Sequence, residues 1–191
     1  MISYLGGKSR IGKWIKEFIP NDIEIYAEPF SGMFWTYFCI ELENYDSLKK
    51  VVYNDFNSLN SNLFACAVKY EEFNIYLKDQ DCQKKGKSAS LNQSKMFYEY
   101  QKEIFSNLPK LDVINPNFEY GVKYSYVLSQ IFSGSRPETS KFIDLKGKYH
   151  SKFDSFRRKI NFTNNGLKLK SHLDMITDIE NDDFERLMTK Y

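Results

Sequence analysis

Apolar positions early in the chain recur at helical spacing. Ile11, Trp14, Ile15, Phe18 and Ile19 fall at i, i+3, i+4, i+7 and i+8, which predicts an amphipathic helix stopped by Pro20-Asn21-Asp22. The pattern then changes. Ile23 to Ala27 is short, β-branched and aromatic, as a buried strand should be. Glu28-Pro29-Phe30-Ser31-Gly32 reads as a sharp turn, and Met33 to Leu42 is apolar and long enough for a helix. Lys50 to Tyr53 is a second strand that ends at Asn54-Asp55, and a helix is expected from about Ser58 to Tyr70. Strand, helix and strand within about 30 residues have the size of one βαβ unit.

The middle of the chain follows different rules. Asp79 to Ser94 is polar and reads as a loop. Met96 to Phe105 has a helical pattern. Leu108 to Tyr120 is punctuated by Pro109 and Pro116 and should be irregular. Tyr124 to Phe132 is an apolar helix closed by Ser133-Gly134, followed by a basic loop from Ser135 to Tyr149. Phe153 to Ile160 reads as a short basic helix, and Asn164-Asn165-Gly166 as a turn. Met175 to Ile179 is a candidate third strand. Asp182 to Thr189 is a helix whose acidic first turn suits the helix dipole. Alternating strands and helices predict an α/β fold.

Composition narrows the class. The 191 residues are 42% hydrophobic and 27% charged, as expected for a soluble globular chain. Aromatic residues are abundant, with 14 Tyr and 16 Phe; they serve a core first, and surfaces on which bases stack second. No apolar stretch is long enough to span a bilayer, and no signal peptide opens the chain. Cys39, Cys66 and Cys82 are too few and too scattered for a disulfide framework or a zinc site, which points to a reducing cytoplasm. His150 and His172 lack a nucleophile and metal spacing, so both read as structural or surface groups; no metal is expected.

Charge is unevenly spread. Gly121 to Lys170 holds eleven Lys or Arg against three Asp or Glu, while the whole chain carries only +2. Such a segment is a candidate for contact with a polyanion, or a solvated basic face. Arg136, Lys141, Lys146, Lys148, Lys152, Arg157, Arg158 and Lys159 lie in it. If the polyanion is DNA, Arg157-Arg158 would reach phosphates and Arg136 would read a guanine edge.

The most specific signal lies in the first 60 residues. Glu28 to Gly32 follows a predicted strand, and open α/β sheets take ligands at the carboxyl ends of their strands. Asp55 ends the next strand, where a carboxylate can accept hydrogen bonds from two ribose hydroxyls; a helix N-cap is the alternative. No Gly-x-Gly-x-x-Gly is present. Gly6-Gly7-Lys8-Ser9 also fails as a P-loop, because the upstream glycine and strand are missing. A nucleoside without phosphates is expected, and S-adenosylmethionine fits.

Tyr4-Leu5-Gly6-Gly7-Lys8, Ala27-Glu28-Pro29-Phe30-Ser31-Gly32 and Tyr53-Asn54-Asp55-Phe56-Asn57 resemble three motifs of the Dam-like DNA adenine N6-methyltransferases, in order and spacing. Ser129 to Gly134 is loosely similar to a helix end in that family's recognition domain. Ile179-Glu180-Asn181-Asp182-Asp183-Phe184 is similar to its third cofactor motif. The resemblance implies a Rossmann-like methyltransferase sheet, partial here, from residues 1–70 and 172–191. A mostly helical DNA-recognition domain would be inserted at 71–171.

It also implies roles. Tyr4, Gly7 and Lys8 would flank the methionine end of S-adenosylmethionine. Glu28, Pro29, Phe30, Ser31 and Gly32 would form the floor of the pocket. Asp55 would hold the ribose and Phe56 would pack on the adenine. Asp183 and Phe184 would meet the adenine amine and ring. The family has more glycine after Gly32, where this chain has Met33 and Phe34; these side chains either narrow the pocket or pack under the sheet.

The resemblance implies double-stranded DNA as partner and methyl transfer to adenine N6 as the reaction, in the cytoplasm of a bacterium or a phage-infected cell. The family's catalytic Asp-Pro-Pro-Tyr is absent from the sequence, so no catalytic residue is expected in this chain. It reads as an N-terminal fragment, inactive alone: a truncated gene, a partial reading frame, or a split enzyme whose second half is another chain. The alternative is a non-catalytic remnant that binds DNA or a partner.

Overall fold

The computed structural model describes residues 11–80, 87–131, 135–142 and 167–191. Three strands, β1 (Ile25–Glu28), β2 (Lys50–Asn54) and β3 (Asp178–Glu180), form one parallel sheet in the order β1-β2-β3. Glu28 pairs with Tyr53, and Tyr53 with Ile179, so all three strands end at the same edge. Central β2 is Val51, Val52 and Tyr53, each fully buried, closed by an equally buried Asn54. That continuous apolar run is what a parallel strand covered on both faces requires. Among the described residues β1 pairs only with β2.

The crossover from β1 to β2 departs from expectation. No α-helix spans Met33 to Leu42; the segment has 3-10 turns at Tyr37–Cys39 and Leu42–Asn44. Phe34 adopts φ +54°, a left-handed conformation that breaks a helix and costs a non-glycine residue roughly 1–2 kcal/mol. Packing offsets that cost. The Phe34 ring is fully buried among Tyr26, Tyr37, Phe38, Tyr53 and Phe64. Met33 is buried too, and both side chains belong to the core.

The N-terminal pattern is also corrected. The helix α1 covers only Gly12–Ile15 before a 3-10 turn at Lys16–Phe18. Its contact residue is Gly12, where an added Cβ would come within 3.1 Å of Cys39 Sγ. Ile11, Trp14 and Phe18 therefore point outward, with Trp14 and Phe18 edge to face.

Helix α2 (Ser58–Val68) begins at Asn57, whose side chain accepts from the Leu59 amide. Every residue from Leu59 to Ala67 is buried, so α2 is enclosed by its neighbours rather than amphipathic. Helix α3 (Tyr70–Lys78) follows at once. Helix α4 (Lys87–Ser106) starts within the stretch expected to be a loop. An irregular segment leads to α5 (Phe118–Gln130), capped by the Asn117 side chain. At Gly121 a Cβ would lie 2.8 Å from Cys66 Sγ, so glycine lets α5 approach α2 closely. Asn62 and Asn117 exchange two hydrogen bonds of 2.9 Å, and the Tyr124 hydroxyl donates to Asn60. One core cluster runs from Tyr26 beneath the sheet to Leu128 in α5.

Helix α6 (Leu167–Asp174) brings the chain back to β3, and α7 (Phe184–Lys190) closes it. His172 is buried, with Nε2 bonded to the Ile40 carbonyl and its own carbonyl accepting from Tyr37. It is a buried structural strut, the structural one of the two roles expected for it. Cys39 and Cys66 are free thiols, and burial pushes the Cys66 thiol pKa up. Cys82, His150, Phe153–Ile160 and the Asn164-Asn165-Gly166 turn lie outside the described residues. Among the described residues no helix is long and apolar enough to cross a membrane.

Candidate functional site

The loops that leave β1, β2 and β3 meet at the carboxyl edge of the sheet, and polar side chains tie each to the next. Glu28, at the end of β1, turns inward: its Oε1 accepts from the Tyr26 hydroxyl at 2.6 Å and from the Tyr37 amide at 3.1 Å. Burial, followed by the Glu28 charge, raises the Tyr26 pKa, so this hydroxyl stays a donor. Ser31 is buried; its hydroxyl donates to the Glu28 carbonyl at 2.8 Å and accepts from the Asn54 amide at 3.1 Å. Gly32 has φ +52°, a conformation glycine adopts without steric cost.

Asp55 follows β2 and is half-buried. One carboxylate oxygen accepts from the Gly32 amide at 2.8 Å, the other from the Asn57 amide at 2.8 Å. The N-cap of α2 is Asn57, not Asp55. Asp55 thus fixes the turn after β1, and each oxygen keeps lone pairs beyond its single backbone bond. Asp183 is the N-cap of α7, with Oδ1 accepting from the Glu185 amide at 2.8 Å.

Three phenylalanines stand exposed on this edge, one after each strand: Phe30 is 63% exposed, Phe56 76% and Phe184 43%. Phe30 and Phe184 face each other at 5.5 Å between centroids. Open ring faces beside carboxylates offer stacking for a flat heterocycle and acceptors for hydroxyl or amino donors.

The structure therefore brings together Glu28, Pro29, Phe30, Ser31, Gly32, Asp55, Phe56, Asp183 and Phe184. Tyr4, Gly7 and Lys8 lie outside the described residues. Of the basic candidates, Arg136 and Lys141 are described and exposed. Arg136 sits in a turn that Gln101 of α4 pins, its Nε2 donating to the Pro137 and Ser140 carbonyls at 2.6 and 2.9 Å. Lys146, Lys148, Lys152, Arg157, Arg158 and Lys159 lie outside the described residues. Sequence reasoning missed the partners that lace the edge, Asn54 and Asn181. Their signal is a polar amide closing an apolar strand, and a second amide just past β3.

A parallel sheet with carboxylates and open rings at its carboxyl edge defines an α/β protein of the class that takes ligands there. The model of the D12 class N6 adenine-specific DNA methyltransferases matches residues 4–191, and the chain belongs to that family. These are S-adenosylmethionine-dependent enzymes that methylate adenine N6 in DNA. No curated protein matches the chain significantly.

Proposed function

We propose that the carboxyl edge of the sheet is the S-adenosylmethionine site of a site-specific DNA adenine methyltransferase. The observation that carries this reading is the juxtaposition of Asp55 with the open rings of Phe30, Phe56 and Phe184. These residues fit the cofactor. The spare lone pairs of Asp55 suit a ribose diol, the rings suit adenine, and Asp183 suits its amine. Tyr4, Gly7 and Lys8 complete the methionine end. S-adenosylmethionine supplies an electrophilic methyl group; the protein's part is to hold and orient it and to exclude water.

The sheet is Rossmann-like, built from residues 1–70 and 172–191, and the insertion 71–171 recognises DNA. Arg136 reads bases from its pinned turn, while the cationic stretch through Arg157-Arg158 contacts phosphates. The 191 residues contain no Asp-Pro-Pro-Tyr, so by themselves they bind cofactor without transferring methyl.

Calorimetry with S-adenosylhomocysteine tests the site. Asp55→Ala should weaken binding by about 1.5–3 kcal/mol, the worth of a charge-assisted hydrogen bond; equal affinity removes Asp55 from it. Labelled methyl transfer to adenine-containing DNA should be undetectable with the 191 residues alone, and turnover would refute their inactivity. For DNA, Arg157→Ala should weaken all duplexes alike and lower the salt slope by about one unit. Arg136→Ala should relax sequence preference. A flat salt dependence would leave the basic segment without this role.

A further inference from the structure

Asn54 is fully buried at the end of β2, directly after the apolar run Val51-Val52-Tyr53. Its side-chain Nδ2 donates to the Pro29 carbonyl at 2.9 Å and to the Asp182 carbonyl at 3.1 Å, and its Oδ1 accepts from the Asp182 amide at 2.9 Å. Its backbone carbonyl accepts from Ser31 at 2.9 Å. One residue of the central strand thus grips the loops after both outer strands.

Only a short side-chain amide can do this. The grip needs two donors and an acceptor on one planar group; a carboxylate has no donors, and leucine of similar volume has neither. An apolar replacement would strand the Pro29 and Asp182 groups without partners, which is costly in a buried place. Pro29 adjoins Phe30, and Asp182 lies two residues before Phe184. Asn181 repeats the device for the third loop, its Nδ2 donating to the Asp55 carbonyl at 2.7 Å and the Phe56 carbonyl at 2.9 Å.

We propose that Asn54 is a positioning residue: by gripping Pro29 and Asp182 it holds the paired rings of Phe30 and Phe184 in place as a platform for the adenine ring. Asn181 sets Phe56 in the same way. This rests on the reading of the carboxyl edge as the cofactor site. Asn54 touches no ligand atom; it acts through the backbone of the two loops.

The test is S-adenosylhomocysteine affinity by calorimetry for the full chain, Asn54→Asp and Leu128→Ala, each well below its own melting temperature. Leu128 is buried in α5, so its truncation destabilises without touching the loops. Asn54→Asp should lose about tenfold or more in affinity, the equivalent of one buried hydrogen bond, while Leu128→Ala stays within about twofold. Hydrogen exchange should rise in 28–34 and 180–184 for Asn54→Asp only. Near-wild-type affinity in Asn54→Asp, or an equal loss in Leu128→Ala, overturns the proposal. If Asn54→Asp does not fold, Asn181→Ala decides: it should lose about threefold or more, about 0.6 kcal/mol, and unchanged affinity overturns the proposal. A wild-type chain that does not bind S-adenosylhomocysteine instead removes the cofactor reading itself, and this inference with it.

Discussion

Phenylalanines above and below the carboxyl edge of the sheet do opposite work. Below it, Phe34 and Phe64 are buried against Tyr37 and Tyr53, with the Tyr53 and Phe64 rings stacked at 4.2 Å. Above it, Phe30, Phe56 and Phe184 face solvent. The lower group is held by packing. The upper group is held by the backbone, which Asn54, Asp55 and Asn181 lace together through polar bonds. Phe30 and Phe34 are four residues apart, so residue type cannot decide the role; the chain direction between them does, through the positive φ at Gly32 and Phe34. A core tolerates an unfavourable backbone angle when burial outweighs it, and a site keeps its rings open when polar bonds fix the loops that carry them.

The largest effect should come from breaking the lower half. Phe34→Ala should cost about 3–5 kcal/mol of stability, as for a buried aromatic truncated to alanine. Phe34→Gly should cost roughly 1 kcal/mol less, because glycine takes the left-handed angle freely. Urea melts of the two variants check this, and equal midpoints would show that the backbone angle stores no strain.

The upper half should respond the other way. Phe184→Ala should change stability by less than about 0.5 kcal/mol, as for an exposed position, yet weaken S-adenosylhomocysteine by about 0.5–1.5 kcal/mol, the worth of one aromatic stacking pair. Melting and calorimetry on the same sample separate the two. A stability loss as large as that of Phe34→Ala would erase the contrast.

The smallest effect concerns pH at the far edge strand. Burial opposes ionisation of Asp178. The Thr177 hydroxyl at 2.7 Å, the Lys50 ammonium at 3.5 Å and the Tyr191 hydroxyl outweigh it and hold the carboxyl below its usual pKa. A lowered pKa means stabilisation that is complete above the ordinary Asp value and is lost as the pH falls through the lowered one. Acid melts should therefore lose under about 1 kcal/mol more in wild type than in Asp178→Asn, since the pair is partly exposed. Parallel acid curves for the two proteins would exclude Asp178 as a contributor.

Much of this was legible in the sequence. The strands were found within a few residues because β-branched and aromatic runs end at turn residues. Glu28 to Gly32 and Asp55 could be placed at one edge, since parallel strands bring their carboxyl ends together, and Asp183-Phe184 joined them through the family resemblance. Local patterns failed where a long-range contact won. Ile11, Trp14 and Phe18 have perfect helical spacing, but Gly12 makes the contact with Cys39, so the aromatic face turns outward. Met33 to Leu42 has helical composition, but burying five aromatic neighbours around Phe34 required a left-handed turn. The early start of α4 was hidden by its polar first turns, which carry no apolar periodicity.

The sequence by itself determined the α/β class, the succession of strands along the chain and the turn and carboxylate at the ends of the first two, because periodicity and turn chemistry are local properties. Only the tertiary structure decided that Asp55 also staples Gly32, that Phe34 lies under the sheet while Phe30 lies above it, and that Asn54 grips two loops. Each of those depends on residues more than 20 positions apart, Phe34 through its contact with Phe64, and a hydrogen bond or ring contact at that separation exists only once the sheet has aligned its three ends.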